Sequence, residues 1–369
     1  DCGTVGRWPS DIQLTRVIIV PDGDLRGRSL VTDEEGNESV ILDNDPSIGE
    51  SPAGGYDQNF NPHSQYYTDP VYNFEPGANN QVHAVASQLD GKVLIGGDFT
   101  SYNSFPLNRI ARVHTDGSLD KTFSIGTGAD DTVTNLKITT EGRVLVAGKF
   151  RSYNGSVSPS LVELNANGSV NTDFNVGTGF DGTVRDIEIT TADQILVAGD
   201  FQSYNNTNTV YIARLNVDGK IDHGFAPRHS PNAPVNALAF DEDGAVVIVG
   251  EFNKVGEFNR NYIAKYKSDG RLDPDFESVE GANGIIYDVL IEADGRIVIA
   301  GDFTRINYVK RNRIARLHPD GTVDMSFDPG DGFDSTVYTI VQDVDPMRNM
   351  YNEYGGPGGP IDNPDYLKI

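Results

Sequence analysis

The stretch LIGGDF, residues 94 to 99, decides the fold because it returns as LVAGKF (145–150), LVAGDF (196–201), VIVGEF (247–252) and VIAGDF (298–303). The glycines before the charged residue are Gly97, Gly148, Gly199, Gly250 and Gly301, each 51 residues after the last. Three further series keep the same step. Turn glycines fall at Gly117, Gly168, Gly219, Gly270 and Gly321. Phenylalanines fall at Phe123, Phe174, Phe225, Phe276 and Phe327, with Phe74 49 residues earlier. β-Branched residues fall at Val82, Val133, Val184, Val235, Ile286 and Val337. Four series in one register are not a chance pattern, and a fixed period of roughly 20–50 residues marks stacked repeat architectures.

One unit reads as four short strands. It opens on an apolar-spaced segment such as TVRDIEIT, turns at a sequence such as EADG, and continues into a Val/Ile/Leu run. A Tyr/Asn-rich loop leads to RNRIARLHPDG, and the unit closes on TVDMSF. Short β-branched runs bounded by Asp-Gly are hairpin signals. The central run is apolar without alternation, as a strand buried on both faces must be. No stretch keeps a 3.6-residue period over ten residues, so helices are not expected. Four strands in 51 residues match one blade of an all-β propeller.

The order Asp-Gly, Gly-x-Phe, Arg-Ile-Ala-Arg, Asp-Gly-x-x-Asp, seen in DGKVLIGGDFTSYN and NRIARVHTDGSLDKTF, resembles the delta-60 repeat, a β-propeller domain of unknown function. The resemblance covers five full units, roughly residues 74 to 336. Three departures stand out: Asp193 in place of a turn glycine, SLVEL (160–164) in place of RIARL, and Val255 in place of a loop tyrosine. Such repeats occur in bacterial secreted or surface proteins and in structural proteins of cyanobacterial viruses. The resemblance implies a propeller and supplies no catalytic residues.

A propeller is stable when its last blade joins its first. After Phe327, STVYTIVQDVD repeats an opening strand, and TRVIIVPDGDL (15–25) resembles NRIARVHTDGSL. The expectation is six blades, the sixth built from Val337–Val344 and N-terminal strands. The chain then divides into an irregular segment at 1–67 that contributes closing strands, the propeller at 68–345, and a Gly/Pro/Tyr-rich arm at 346–369.

The formal net charge is −25, which opposes phosphate backbones and anionic lipid. Neither nucleic acid nor membrane insertion is expected, and no apolar run reaches the length of a membrane-spanning helix. The one cysteine allows no internal disulfide. GTGFDG (177–182) spells a dinucleotide finger, but it opens a strand rather than a helix and its counterparts lose the glycines. What recurs there is an Asx at Asn79, Asp130, Asp181, Asn232, Asn283 and Asp334, read as the turn between blades. These acids invite a calcium reading, yet no EF-hand spacing follows. No histidine pair has zinc spacing, and no cofactor is expected.

The charges in Gly-x-Phe, namely Asp98, Lys149, Asp200, Glu251 and Asp302, could line a central channel. The loops SYNSFPLN, SYNGSVSP and SYNNTNTV offer Tyr102, Asn103, Tyr153, Asn154, Tyr204 and Asn205 as binding residues, with packing tyrosines and turn asparagines as the alternative. The sequence therefore points to a non-enzymatic structural or adhesive module of a large extracellular assembly, such as a virion tail, neck or fibre, with other proteins as partners. A secreted or cell-surface bacterial module that binds protein or surface glycans is the second reading. A propeller glycosidase or lyase is the third, and it needs paired carboxylates at the channel mouth.

Overall fold

Valine, isoleucine and leucine fill the run before each Gly-x-Phe because that run is the buried middle of a blade. Val144–Gly148, Ile195–Gly199, Val246–Gly250 and Ile297–Gly301 are buried at every residue. In this computed structural model, which describes residues 77–276 and 280–341 and the short strands Leu30–Thr32 and Glu38–Val40, all five units fold alike. The inner strands are Val82–Ser87, Val133–Ile138, Val184–Ile189, Val235–Phe240 and Ile286–Ile291. Each pairs antiparallel with the middle strand, which pairs antiparallel with a third, such as Ile110–Val113 or Ile314–Leu317. A single bridge, Val113↔Leu119 in the first blade and Leu317↔Val323 in the fifth, adds the outer strand. Every inner strand skips one residue of register at its start, a bulge that turns its next residues toward the axis.

The repeated glycine has a steric cause. A Cβ on Gly148 would overlap the carbonyl of Thr132, the residue before the inner strand, and Gly97, Gly199, Gly250 and Gly301 meet the same obstacle. The turn glycines serve another need. Gly117, Gly168, Gly219, Gly270 and Gly321 all have φ between 76 and 89°, a region costly for other residues.

Blades bury their faces on one another. Leu94 and Ile110 of the first blade pack with Val133, Leu136 and Phe150 of the second, and the same arrangement runs on to the fifth. Outer strands add a latch. The Arg112 Nε donates to Asp120 Oδ2 at 2.8 Å, the guanidinium lies 4.6 Å over Phe123, and Nη1 donates to the Ala166 carbonyl of the next blade at 2.7 Å. Arg214 repeats this with Asp222, Phe225 and the Ser268 carbonyl. Lys265 reaches the Pro319 carbonyl, and Arg316 binds Asp324 over Phe327. Burial pushes the Asp120 carboxyl up, but Thr122, Lys92 and Arg112 outweigh it and hold it well below the usual range.

After the fifth blade, Val337 and Ile340 pack onto that blade's face, where the Ile340 amide donates to Asp288 Oδ2 at 2.8 Å. The expected sixth-blade strand is described only as far as residue 341, without ladder pairing. The remaining closing strands, including Thr15–Leu25, and the 346–369 arm lie outside the described residues. Leu30–Thr32 and Glu38–Val40 pair antiparallel with each other.

Gly148→Ala should cost about 3 kcal/mol in urea unfolding, since the new methyl meets backbone rather than a side chain. A loss below about 0.5 kcal/mol would contradict the steric account.

Candidate functional site

The Tyr/Asn loops form a small hairpin between the middle and third strands of each blade, Ser101–Tyr102 with Phe105–Pro106 in the first. Their tyrosines point inward. Tyr102, Tyr153 and Tyr204 are buried, and the Tyr102 and Tyr204 hydroxyls donate to the carbonyls of Gly117 and Gly219. Burial raises all three phenol pKa values. Asn103, Asn154 and Asn205 adopt φ of 48, 47 and 47°, the left-handed turn an asparagine tolerates. Their side-chain oxygens accept the amides of Gly77, Thr127 and Thr178 in the preceding joint. Of the six residues offered by the sequence as binding groups, Tyr102, Asn103, Tyr153 and Tyr204 are buried, while Asn154 and Asn205 are exposed turn residues. A strand of two residues sends neighbours to opposite sides, and the aromatic takes the inner one.

The hairpins also carry apolar residues that the loop reading missed. Phe105, Val157, Phe258 and Tyr308 are exposed near the tips. Val157 lies opposite Ser152 on the face away from Tyr153, whereas Phe105 and Phe258 pair with Tyr102 and Val255 and flank them on the same face.

The recurrent Asx fixes this hairpin. Asn79 Oδ1 accepts the amides of Thr100 and Ser101, Asp130 those of Arg151 and Ser152, and Asp181 those of Gln202 and Ser203. Asn232 and Asn283 do the same. Each thus caps a loop 21 and 22 residues ahead rather than its own turn. Partial burial raises the Asp130 and Asp181 carboxyls, but their amide donors prevail and both lie below the ordinary value. Asp334 is exposed, and the positions 21 and 22 ahead of it lie outside the described residues.

At the start of the inner strands the Gly-x-Phe charges meet neighbouring blades. Asp98 binds His83 Nε2 at 2.9 Å and the Thr132 hydroxyl. Arg185 pairs with Asp200 at 2.6 Å and Glu251 at 2.7 Å, and Asp302 with Arg313 at 2.6 Å. Tyr287 and Tyr338 stack with centroids 5.0 Å apart. Deeper in, Lys137 binds Glu188 at 2.6 Å, and the field of Asp288, three blades on, also reaches Lys137, so the inner strands converge on one axis. Asp186 accepts from Asn135, Ile187 and the Leu238 amide of the next blade. Burial and Glu188 push its carboxyl well above the usual range. Burial pushes Asp288 up to about 6 despite donors from Ile340, Thr339 and Val289. Asp98, Asp200, Glu251 and Asp302 at this mouth are each tied to a partner. Among the described residues no group of three His, Cys, Asp or Glu could hold a metal ion, and no helix is long and apolar enough to cross a membrane.

The sequence model described as a domain of unknown function (DUF5122) β-propeller matches residues 88–123, 141–174, 193–225, 242–276 and 292–327. No curated protein matches the chain. Solved structures similar to it include the WD40 β-propeller domain of Doa1, 16% identical over 67% of this chain and 68% of that one, with a TM-score of 0.45. Virginiamycin B lyase of Staphylococcus aureus is 14% identical over 68% of this chain and 73% of its own, with a TM-score of 0.40. A gluconolactonase of Xanthomonas campestris is 12% identical over 68% and 76%, with a TM-score of 0.39.

Two outcomes test this geometry. Asp181→Ala should cost about 1 kcal/mol by orphaning two amides, while Asp181→Asn should be nearly neutral in thermal melts, because Asn holds the same place in three other blades. The folded-state value of Asp288, about 6, lies above its ordinary 3.8, so its protonated form adds stability that is complete below pH ~4 and lost as pH rises through 6. Asp288→Asn should flatten the fall in melting temperature between pH 4 and 7; an unchanged slope would contradict the assignment.

Proposed function

The chain belongs to the DUF5122 β-propeller family, and we propose that it acts as a non-enzymatic scaffold that docks other proteins along its hairpin rim, as a structural or adhesive module of a large extracellular assembly. One observation carries this reading. Phe105, Val157, Phe258 and Tyr308 are 43, 79, 48 and 75% exposed at related places on four blades, and the third blade carries Thr207 and Asn208 there. Phe105 and Phe258 hold equivalent places in the repeat, with Val157 one residue later and Tyr308 one earlier, and clustered exposed apolar side chains mark contact surfaces more than isolated ones do.

The hairpins beneath them are rigid. A buried side chain (Tyr102, Tyr153, Val255 or Ile306), a left-handed turn and an Asx cap hold each of these loops, so contact orders little that was free before. Tips on separate blades suit a partner of protein size, and several weak contacts on one frame add up through multivalency. The strong negative charge disfavours nucleic acid and anionic membrane as that partner. A virion tail, neck or fibre of a bacterial or cyanobacterial virus is the setting that the repeat's occurrence favours. The reading of the loops as protein- or glycan-binding drew on Tyr102, Asn103, Tyr153, Asn154, Tyr204 and Asn205, and burial of the three tyrosines and Asn103 leaves Asn154 and Asn205 as its exposed members. The tied carboxylates of the channel mouth support the non-enzymatic reading.

Quantitative mass spectrometry of particles purified from the native source should find the chain at a fixed copy number. A variant with Phe105, Val157, Phe258 and Tyr308 all changed to serine should melt within about 2 °C of the parent, since exposed sites carry little stability, yet lose its place in the particle. Normal incorporation of that variant would overturn the proposal.

A further inference from the structure

The cationic latch has one exception. Arg112, Arg214 and Lys265 each reach a turn carbonyl 54 residues ahead, at Ala166, Ser268 and Pro319. The second blade has Glu163 at this position, and the carbonyl it would have to reach is that of Val217. Among the described residues no side chain donates to that carbonyl. The outer-strand acid is also exchanged there, Asn171 standing where Asp120, Asp222, Asp273 and Asp324 stand in other blades. The two changes agree electrostatically, because the Asn171 amide donates to Glu163 Oε2.

The exchange opens a pocket of about 30 Å³ between the second and third blades, with Glu141, Arg143, Glu163, Asp193, Ile195 and Val217 in its lining. Glu163 forms its floor with only 2% of its side chain exposed. Its Oε2 accepts from Asn171 and, at a long 3.4 Å, from Arg143 Nη1, whose other terminal nitrogen is held by Glu141. Its Oε1 has no hydrogen-bond partner among the described residues. Asp193, the residue that replaces a turn glycine, closes one side with φ 56° and accepts the Thr140 hydroxyl at 3.2 Å. Two departures from the repeat that are 30 positions apart in sequence thus meet in one place. Glu141 and Glu163 hold the Arg143 guanidinium, Asp193 joins them in the lining, and Ile189, Ile195 and Val217 make the apolar walls.

We propose that this pocket binds a primary ammonium group on an alkyl chain, which takes the place of the missing latch cation. An ammonium brings three donors, enough for Glu163 Oε1 and the Val217 carbonyl with one left for a further acceptor. Its volume is close to that of a water molecule, and a carboxylate oxygen that no protein donor occupies is a strong acceptor for it. The methylene chain runs out along the apolar wall, as lysine stems do. The same group is carried by a lysine of a partner protein and by a free alkylamine.

Isothermal titration at low ionic strength tests this with N-acetyl-lysine methylamide, its norleucine analogue and n-butylamine. The lysine derivative should bind one to one, and the norleucine analogue about tenfold or more weakly, because it lacks the charge-assisted donors. A tenfold preference for the lysine derivative over butylamine assigns the site to a protein lysine; equal binding assigns it to the amine head alone. Glu163→Gln should weaken both amines about tenfold. Glu163→Arg with Asn171→Asp restores the latch, and the fifth blade shows that two arginines and one aspartate fit there, as Arg296, Arg316 and Asp324 do. That double variant should melt no lower than the parent and bind neither amine. Undiminished binding by the double variant, or binding by the parent that does not separate lysine from norleucine, would overturn the proposal.

Discussion

One recurring contact ties neighbouring blades at their outer strands: a cation on the third strand that is neutralised by its own blade and donates to the backbone of the next. Arg112 joins Asp120 within its blade and Ala166 across the gap. The acid keeps the guanidinium in one rotamer, and the aromatic beneath, Phe123, fixes its plane. Charge-assisted bonds of this kind are roughly twice as strong as neutral ones. Loss of one member of a buried pair leaves the other uncompensated, at about 3–5 kcal/mol. The 51-residue step also holds across the gap that lacks this contact, so the latch is one of several contacts that keep the spacing.

The same logic appears at two other radii. Near the axis, Asp186 and Asp288 accept the amides of Leu238 and Ile340, each 52 residues ahead. Near the opposite end of the strands, the Asx residues hold the hairpins of the blade they introduce. Apolar burial between blades supplies the bulk of the stability and is indifferent to small slips. The directional contacts at three radii fix which slip is chosen. The gap between the second and third blades shows how this redistributes: it lacks the outer latch and has the Lys137–Glu188 pair and the Asn135–Asp186 bond on the inside.

Most of the architecture was legible in the sequence because it rests on periodicity and on glycines with one steric reason. Gly97 and its four counterparts could be nothing else, and the strand order followed from the turns between them. The Asx series was legible as well, although its partner was not, since an amide donor 21 residues away leaves no local trace. The hairpins misled for a definite reason. Tyrosine among asparagines and serines has the composition of a contact loop, and only the two-residue strand pairing shows that Tyr153 faces the core while Val157 faces out. Glu163 and Asp193 were visible as departures but looked scattered, because their convergence is a property of neighbouring blades. The closing of the ring depended on segments beyond the repeat, where periodicity gives no guidance.

A third-strand cation reaching the next blade's turn ties the blades at their outer strands, and Glu163 marks the gap among the described blades where that cation is missing. A crystal structure of the chain carrying Glu163→Arg and Asn171→Asp tests it most directly. The account predicts the new guanidinium held by Asp at 171, with one terminal nitrogen within hydrogen-bond distance of the Val217 carbonyl and the pocket filled. An arginine turned to solvent, with the pocket unchanged and the Val217 carbonyl unbound, would contradict it.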